Sequence, residues 1–138
     1  GFVGDVEKVN AVLLADLIAK DVVPVMAPLT HDGEGNMLNT NADTIAGETA
    51  KALSALYDVT LVYCFEKKGV LRDEADEDSV IAQMTPADFK KYVADGVIQG
   101  GMIPKLENSF EAIEAGVSEV IITMASAINK EGGTRIKK

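Results

Sequence analysis

The sequence has very little cysteine and histidine: of 138 residues, one is cysteine, one is histidine and none is tryptophan. A single cysteine, Cys64, excludes an internal disulfide, and its place in the apolar run VTLVYCF predicts a small buried thiol. The lone histidine, His31, has no cysteine or second histidine with which to share a metal ion, so no metal site is predicted. This composition is compatible with a reducing cytoplasm, the location that we expect.

Long apolar runs and a surplus of basic residues are also missing. No run approaches the roughly 20 residues that a membrane span needs, and the opening GFVGDVEKVN lacks the pattern of a signal peptide. The formal net charge of −9 argues against a nucleic-acid surface, since phosphate backbones are bound by basic faces. Much of the acidity lies in residues 73–78, which we interpret as a solvated loop.

Helical and strand patterns alternate along the chain, which is typical of an α/β fold with a mainly parallel sheet and helices on both faces. Apolar spacing predicts helices within residues 9–18, 40–56, 85–93 and 101–117. Strands are predicted at 22–27, 59–65 and 120–124, the first of them short and buried, with an edge strand at 132–136 and a hairpin turn at 31–36. Because no repeat or linker interrupts this pattern, residues 1–138 are predicted to form a single α/β domain.

Three places combine polar groups with a strand end or a helix start, where open α/β sheets bind ligands. Residues 39–43 (NTNAD) open a helix whose free backbone donors favour an anion. Residues 100–105 (GGMIPK) let the backbone approach a phosphate, and Lys105 can reach the same anion. Residues 65–71 (FEKKGVL) follow the best strand. Each has a plainer interpretation, as helix caps, a solvated lysine or an ordinary loop, so spacing alone predicts only an α/β domain with an anion site.

Longer stretches of the sequence are recognisable. GFVGDVEKVN, PVMAPL, DGEGNMLNTNADTIAG and GVIQGGMIPKLENSFEAIEAG follow in order the pattern of the N-acetylglutamate kinases of the amino-acid kinase family. The resemblance runs from Gly1 to about Met124, and the pair of motifs N-x-N-A-D and G-G-M-x-x-K is its most specific part. It implies that the chain is similar to the carboxy-terminal, nucleotide-binding lobe of such a kinase.

The resemblance also implies an activity. Enzymes of this family use ATP with Mg²⁺ to phosphorylate the side-chain carboxylate of N-acetylglutamate, or of a related N-acylglutamate, on the way to arginine. The implied partners are these two substrates, the amino-terminal half of the same enzyme and further copies in a homo-oligomer. Nucleic acid and membrane are not among them.

Residue roles follow the matching motif positions. Asn39 resembles the family's substrate-binding residue, and Asn41 of the same motif is assigned with it. Asp43 looks like the residue that orders the catalytic lysines, and Lys105 resembles the lysine that stabilises the transferring phosphoryl group. The positions that resemble the family's nucleotide-binding segments are Glu66, Lys67, Lys68, Gly69, Val70, Leu71, Val97, Ile98 and Gln99.

The chain departs from the family pattern in two respects. It has Glu66-Lys67 where the family usually has an aspartate and a valine. We also expect the other lysine, the glycine-rich phosphate loops and a substrate-binding arginine of the family to belong to an amino-terminal half outside residues 1–138. We therefore expect the chain alone to be inactive. Two alternatives remain: another amino-acid kinase, such as an aspartate or carbamate kinase, which the motif pair disfavours, and a non-catalytic nucleotide-binding or interaction domain.

Overall fold

The computed structural model describes residues 2–138. Its helices are α1 (Ala11–Ala19), α2 (Ala42–Leu53), α3 (Pro86–Ala94) and α4 (Met102–Glu114), with a short 3₁₀ turn at Ala125–Ala127. Its strands are β1 (Leu29–His31), β2 (Met37–Asn39), β3 (Thr60–Phe65), β4 (Gln83–Met84), β5 (Glu119–Met124) and β6 (Thr134–Ile136). None of the helices in this part of the chain has both the length and the apolar character needed to cross a bilayer.

The main sheet has four strands in the order β3-β5-β6-β4. β3 pairs in parallel with β5 and β4 in parallel with β6, whereas β5 and β6 are antiparallel. This mixed and mostly parallel sheet with its helices confirms the predicted α/β class. The prediction of an edge strand near the end of the chain is wrong in one respect, because β6 lies between β5 and β4 and uses both of its edges for pairing.

Side-chain caps define where two of the helices begin. The Asn41 side chain accepts the N–H of Thr44 at 3.1 Å and starts α2, with Asp43 in the first turn near the positive end of the helix dipole. Thr85 and Asp88 form a reciprocal capping box at the start of α3. Both starts confirm the caps predicted from the sequence.

The core lies between the sheet and three helices. Met84, Leu106, Val120, Ile122 and Ile136 are almost completely inaccessible to solvent. α2 packs against β3, α4 against β5 and β6, and α3 against β4 and α4. The sequence predicts helices on both faces, whereas these three helices lie next to one another on the face that buries Leu61 and Tyr63.

Two predictions of burial are wrong. Residues 22–27 form no strand, and Val23 and Val25 are 82% and 93% exposed, because no other part of residues 2–138 covers their side chains. Cys64 is exposed as well. Side chains alternate across a strand, so Tyr63 of β3 faces the helices while Cys64 faces away from them.

The hairpin of β1 and β2 confirms the predicted turn. Gly33 and Gly35 have positive φ values of 83° and 95°, which a turn of this kind needs. His31 takes part locally, since its Nδ1 accepts the N–H of Gly33 at 3.1 Å. The predicted acidic loop is confirmed too: residues 72–78 are exposed.

Candidate active site

A lysine and a carboxylate from distant parts of the chain form the centre of the site. The Nζ atom of Lys105 lies 2.6 Å from Oδ2 of Asp43, although 62 positions separate the two residues. The Lys105 side chain is only 16% exposed and that of Asp43 is 38% exposed. A shielded pair of this kind interacts more strongly than an ion pair in open water.

The packing of α2 against α4 positions this pair. Asp43 lies in the first turn of α2, and Lys105 lies one turn into α4. Each side chain is therefore near the N-terminal end of its own helix, where unpaired backbone N–H groups carry partial positive charge. The two helix starts and the Lys105 ammonium together make the surroundings favourable for an anion.

Tyr63 on β3 contacts both partners. Its Oη donates a hydrogen bond to the backbone oxygen of Asp43 at 3.1 Å, and the Nζ of Lys105 lies 4.8 Å from the centre of its ring. Burial, and then the negative charges of Asp43 and Glu48, raise the pKa of Tyr63 to about 12. The phenol is therefore a neutral donor throughout the physiological pH range. The sequence analysis missed Tyr63; the available signal was an aromatic residue near the end of the strand that leads into the loop at 65–71.

A groove of about 330 Å³ opens beside the pair. The loop after β3, the segment at residues 97–99 and the start of α4 form its walls, and Lys105 lines it. The predicted nucleotide-binding residues that line this groove are Glu66, Lys67, Gly69, Val70, Leu71, Val97, Ile98 and Gln99. The structure thus gathers two segments about 30 positions apart at one groove that Lys105 also reaches.

Lys68 is the predicted nucleotide-binding residue that does not line the groove. Its Nζ forms an ion pair with Oδ1 of Asp78 at 2.8 Å, outside the groove. The hydrogen bond and charge of Asp78 raise the pKa of the Lys68 ammonium and lower that of the Asp78 carboxyl. In this conformation the Lys68 side chain is directed towards the acidic loop at residues 73–78.

The loop at residues 66–71 is held by contacts with β6. Thr134 Oγ1 accepts the N–H of Val70 at 2.8 Å in the protein interior. A Cβ atom at Gly69 would lie 2.8 Å from Val80 Cγ1 and 2.9 Å from Thr134 Oγ1, so a side chain there would force these neighbours to shift. Glycine therefore suits this close packing. Thr134 is not among the predicted site residues, because its contact with Val70 joins positions 64 residues apart.

The start of α4 is open. Gly100 has a positive φ of 57°, and Gly101 provides no side-chain cap for the helix. Apart from the adjoining backbone, no heavy atom of residues 2–138 lies within 4 Å of where a Cβ would stand at either glycine. A helix start that combines bare backbone with a neighbouring groove suits an anionic group.

Asn39 and Asn41 lie just before Asp43 on the chain. Asn39 ends β2 and is exposed, and its main chain bonds to Phe2 and Gly4. Asn41 caps α2. Neither residue has a hydrogen bond to Lys105 within residues 2–138, so their role in binding substrate stays a prediction.

Residues 1–124 match the model of the amino acid kinase family. The chain belongs to the amino acid kinase family. It is 83% identical over 138 residues to an acetylglutamate kinase of Bacteroides thetaiotaomicron. This match covers 100% of this chain and 54% of that protein. An acetylglutamate kinase of Parabacteroides distasonis is 65% identical over 136 residues, or 99% of this chain and 53% of that protein. The chain thus spans about half the length of the curated relatives it matches.

A crystal structure from Streptococcus mutans UA159 has the same fold. It superposes with a TM-score of 0.80 at 34% identity, over 99% of this chain and 51% of the other. A carbamate kinase of Giardia lamblia bound to AMP-PNP superposes with a TM-score of 0.65 over 96% of this chain and 50% of the other, and its 20% identity shows a shared fold alone.

The geometry of this amino acid kinase chain is suited to phosphoryl transfer. In such reactions negative charge spreads over the oxygens of the transferring group, and the protein mainly positions the reactants and neutralises that charge. An ammonium fixed by a carboxylate beside an open helix start can do this without a protein nucleophile. Lys105, Asp43 and the first residues of α4 have this arrangement.

Metal ions in proteins are held by clusters of ligating side chains. No group of three or more histidine, cysteine, aspartate or glutamate residues within 2–138 is arranged to hold a metal ion. Mg²⁺ in nucleotide sites commonly takes its ligands from phosphates and water together with one or two carboxylates. We assign no residue of this chain to Mg²⁺.

Proposed function

We propose that this chain forms the nucleotide-side half of an N-acetylglutamate kinase. The reaction would be the ATP-dependent phosphorylation of the side-chain carboxylate of N-acetylglutamate, or of a related N-acylglutamate, in arginine biosynthesis. The observation that carries the proposal is the Lys105–Asp43 pair beside the groove. The 83% identity to an acetylglutamate kinase supports the choice of acceptor.

In the proposed reaction a carboxylate oxygen of the substrate attacks the terminal phosphorus of ATP. A phosphorus–oxygen bond forms with the substrate, and the bond to the ADP oxygen breaks with its electron pair leaving on ADP. The products are an acyl phosphate and ADP. No general base is required, because a carboxylate acceptor is already ionised at neutral pH.

Each residue has a part in this scheme. Lys105 neutralises charge on the transferring group, and Asp43 fixes the ammonium so that it need not reorganise during the reaction. The residues of the groove bind the nucleotide, and Asn39 and Asn41 contribute to binding the amino-acid substrate. The contact between Asp43 and Lys105 at 2.6 Å supports the pairing of their roles.

The remaining length of the enzyme has a part as well. We propose that it supplies further cations for the phosphates and the group that binds the substrate's free carboxylate. We also propose that the complete enzyme is a cytoplasmic homo-oligomer. Since this chain spans about half of its curated relatives, the activity is expected of the complete protein only.

Replacement of Lys105 tests the assignment in a full-length enzyme that carries this chain. Lys105→Ala should lower kcat by roughly 100-fold or more, in the range for loss of one preorganised donor, with a smaller change in the KM for ATP. Lys105→Arg should rescue poorly, because a planar guanidinium does not replace a compact ammonium. Steady-state kinetics with N-acetylglutamate measure both.

A matched control is available on α2. Lys51 is a partly buried lysine that pairs with Glu48 at 2.7 Å and does not line the groove, so Lys51→Ala should leave kcat nearly unchanged. An unchanged kcat for Lys105→Ala would remove Lys105 from the mechanism. ATP binding without turnover by the complete wild-type protein would instead favour a non-catalytic nucleotide-binding domain.

The isolated chain provides a second test. Without the rest of the phosphate-binding groups, residues 1–138 should release no ADP above background, because positioning contributes much of the rate in such reactions. A coupled ADP assay with N-acetylglutamate measures this, with Lys105→Ala as the blank. Turnover well above that blank would show that the chain holds a complete site.

A further inference from the structure

Tyr63 contacts both members of the Lys105–Asp43 pair. It is only 4% exposed, and its side chain makes one contact with each member of the pair. Its hydroxyl donates to the backbone oxygen of Asp43 at 3.1 Å, and its ring faces the Lys105 ammonium with 4.8 Å between Nζ and the ring centre.

Each contact restricts a different freedom of the pair. The hydroxyl fixes the first turn of α2 relative to β3, and with it the point from which the Asp43 carboxylate projects. The ring attracts the ammonium through its negative face, and that attraction grows where water is excluded. Asp43 holds Lys105 from one side only, so without the ring the long lysine side chain can rotate about its carboxylate partner.

The surrounding structure makes room for the phenol. Gly47 lies one turn after Asp43 on α2, and a Cβ atom there would lie 3.2 Å from Tyr63 Oη. A side chain at position 47 would therefore crowd the hydroxyl. The small residue on α2 and the large one on β3 fit together next to the charged pair.

We propose that Tyr63 is a positioning residue for phosphoryl transfer: its hydroxyl sets Asp43 and its ring sets the Lys105 ammonium. This inference rests on the proposed function, since it concerns the same reaction. Tyr63 reaches the phosphoryl group only through Lys105 and is not itself a catalytic residue.

Two substitutions in the full-length enzyme separate the ring from the hydroxyl. Tyr63→Leu removes both contacts and should lower kcat roughly 5- to 20-fold, which corresponds to losing one shielded cation–π contact, with little change in the KM for ATP. Tyr63→Phe keeps the ring but removes the hydrogen bond to Asp43, so kcat should fall by a smaller factor, about two- to threefold.

Loss of packing alone needs its own control. Leu61 is 8% exposed and lies two residues earlier on the same face of β3, so Leu61→Ala opens a cavity beneath the same helices without touching Lys105. Kinetics are compared at a temperature at which all variants are folded. A kcat for Tyr63→Leu that is no lower than that of Leu61→Ala would overturn the proposal.

Nuclear magnetic resonance provides a readout that does not depend on turnover. A ring facing the ammonium shifts the ε-methylene protons of Lys105 upfield, and isotope-labelled lysine makes them visible, with Lys105→Arg to assign the signal. The shift should be present in wild type and Tyr63→Phe and absent in Tyr63→Leu. Its absence from wild type would also overturn the proposal.

The Lys105→Ala variant separates this inference from the proposed function. A large loss of kcat in Lys105→Ala together with a normal kcat in Tyr63→Leu would overturn the positioning role of Tyr63 and leave the proposed function standing. A normal kcat in Lys105→Ala would contradict the proposed function itself, and the positioning role would be overturned with it.

Discussion

Residues 2–41 expose most of their large apolar side chains, whereas residues 42–138 bury most of theirs at least partly. In the second region apolar residues form a continuous core beneath α2, α3 and α4. In the first region Leu14 is the buried apolar residue among those described. The large apolar residues exposed there are Phe2, Val3, Val12, Leu13, Ile18, Val22, Val23, Val25, Met26, Leu29 and Met37, against Leu56, Tyr57 and Ile128 in the second region.

The difference shows that apolar character and burial are separate properties. The run at residues 22–27 is as apolar as β3, yet it neither pairs with a strand nor packs beneath a helix. A strand satisfies its backbone through neighbours, and a side chain is buried only where another surface covers it. Because the chain spans about half of its curated relatives, we expect the remaining length to cover part of this region.

The largest expected effect compares one buried and one exposed side chain. Leu106 is fully buried on α4 and Val25 is 93% exposed. Leu106→Ala should lower the free energy of unfolding of the 138-residue chain by about 2–5 kcal/mol, from lost burial and the cavity left behind. Val25→Ala should change it by less than about 0.5 kcal/mol. Urea denaturation followed by circular dichroism measures both.

This comparison can fail in an informative way. If Val25→Ala were as costly as Leu106→Ala, residues 22–27 would have to be packed in solution. The contrast between the two regions would then disappear.

A smaller effect is expected within the second region, between two glycines that border the groove. Gly69→Ala places a methyl group against Val80 and Thr134, so we expect a loss of about 1–3 kcal/mol in unfolding free energy and a higher KM for ATP in the full-length enzyme. Gly101→Ala meets open space at a φ of −67° and should change stability by less than about 0.5 kcal/mol. Thermal unfolding and ATP titration measure the two variants, and equal effects at both positions would show that the loop does not pack tightly.

The smallest expected effect at neutral pH is on stability, and it depends on the ionisation of Tyr63. Its pKa is raised from an ordinary 10.0 to about 12, so the stabilisation from its neutral form is complete below about pH 10 and is lost as the pH rises through about 12. An absorbance titration of the phenols should show one late step that is missing in Tyr63→Phe. Complete titration of every tyrosine near pH 10 would contradict the burial of Tyr63 in solution.

The sequence predicted much of the fold because its signals are local. β3 and β5 are continuous apolar runs, Thr85 and Asp88 carry a cap signature, and the spacing of glycines marks the hairpin turn. Burial depends on distant neighbours, which no local pattern contains. For this reason the strand at 22–27 and the buried thiol at Cys64 were predicted wrongly.

The candidate site shows the same contrast between signals carried by short motifs and contacts between distant residues. Motif resemblance pointed to Asp43, Lys105 and two separate segments of a groove, and the positions of these residues agree with a shared site. Lys68, which the resemblance places with the nucleotide-binding residues, pairs with Asp78 and does not line the groove, so its role stays a prediction. Tyr63 and Thr134 went unassigned because their contacts come from α2, α4 and the loop after β3, far away in sequence.

The sequence by itself determined which residues carry charge, where α2 and α3 begin, and where glycines allow the hairpin turn, because these follow from side-chain chemistry and local backbone preferences. Only the tertiary structure decided that Lys105 meets Asp43 over the ring of Tyr63 and that Lys68 turns towards Asp78. Those choices depend on distances of a few ångströms between residues far apart in the chain. Packing of helices on the sheet sets those distances, and no single segment specifies them.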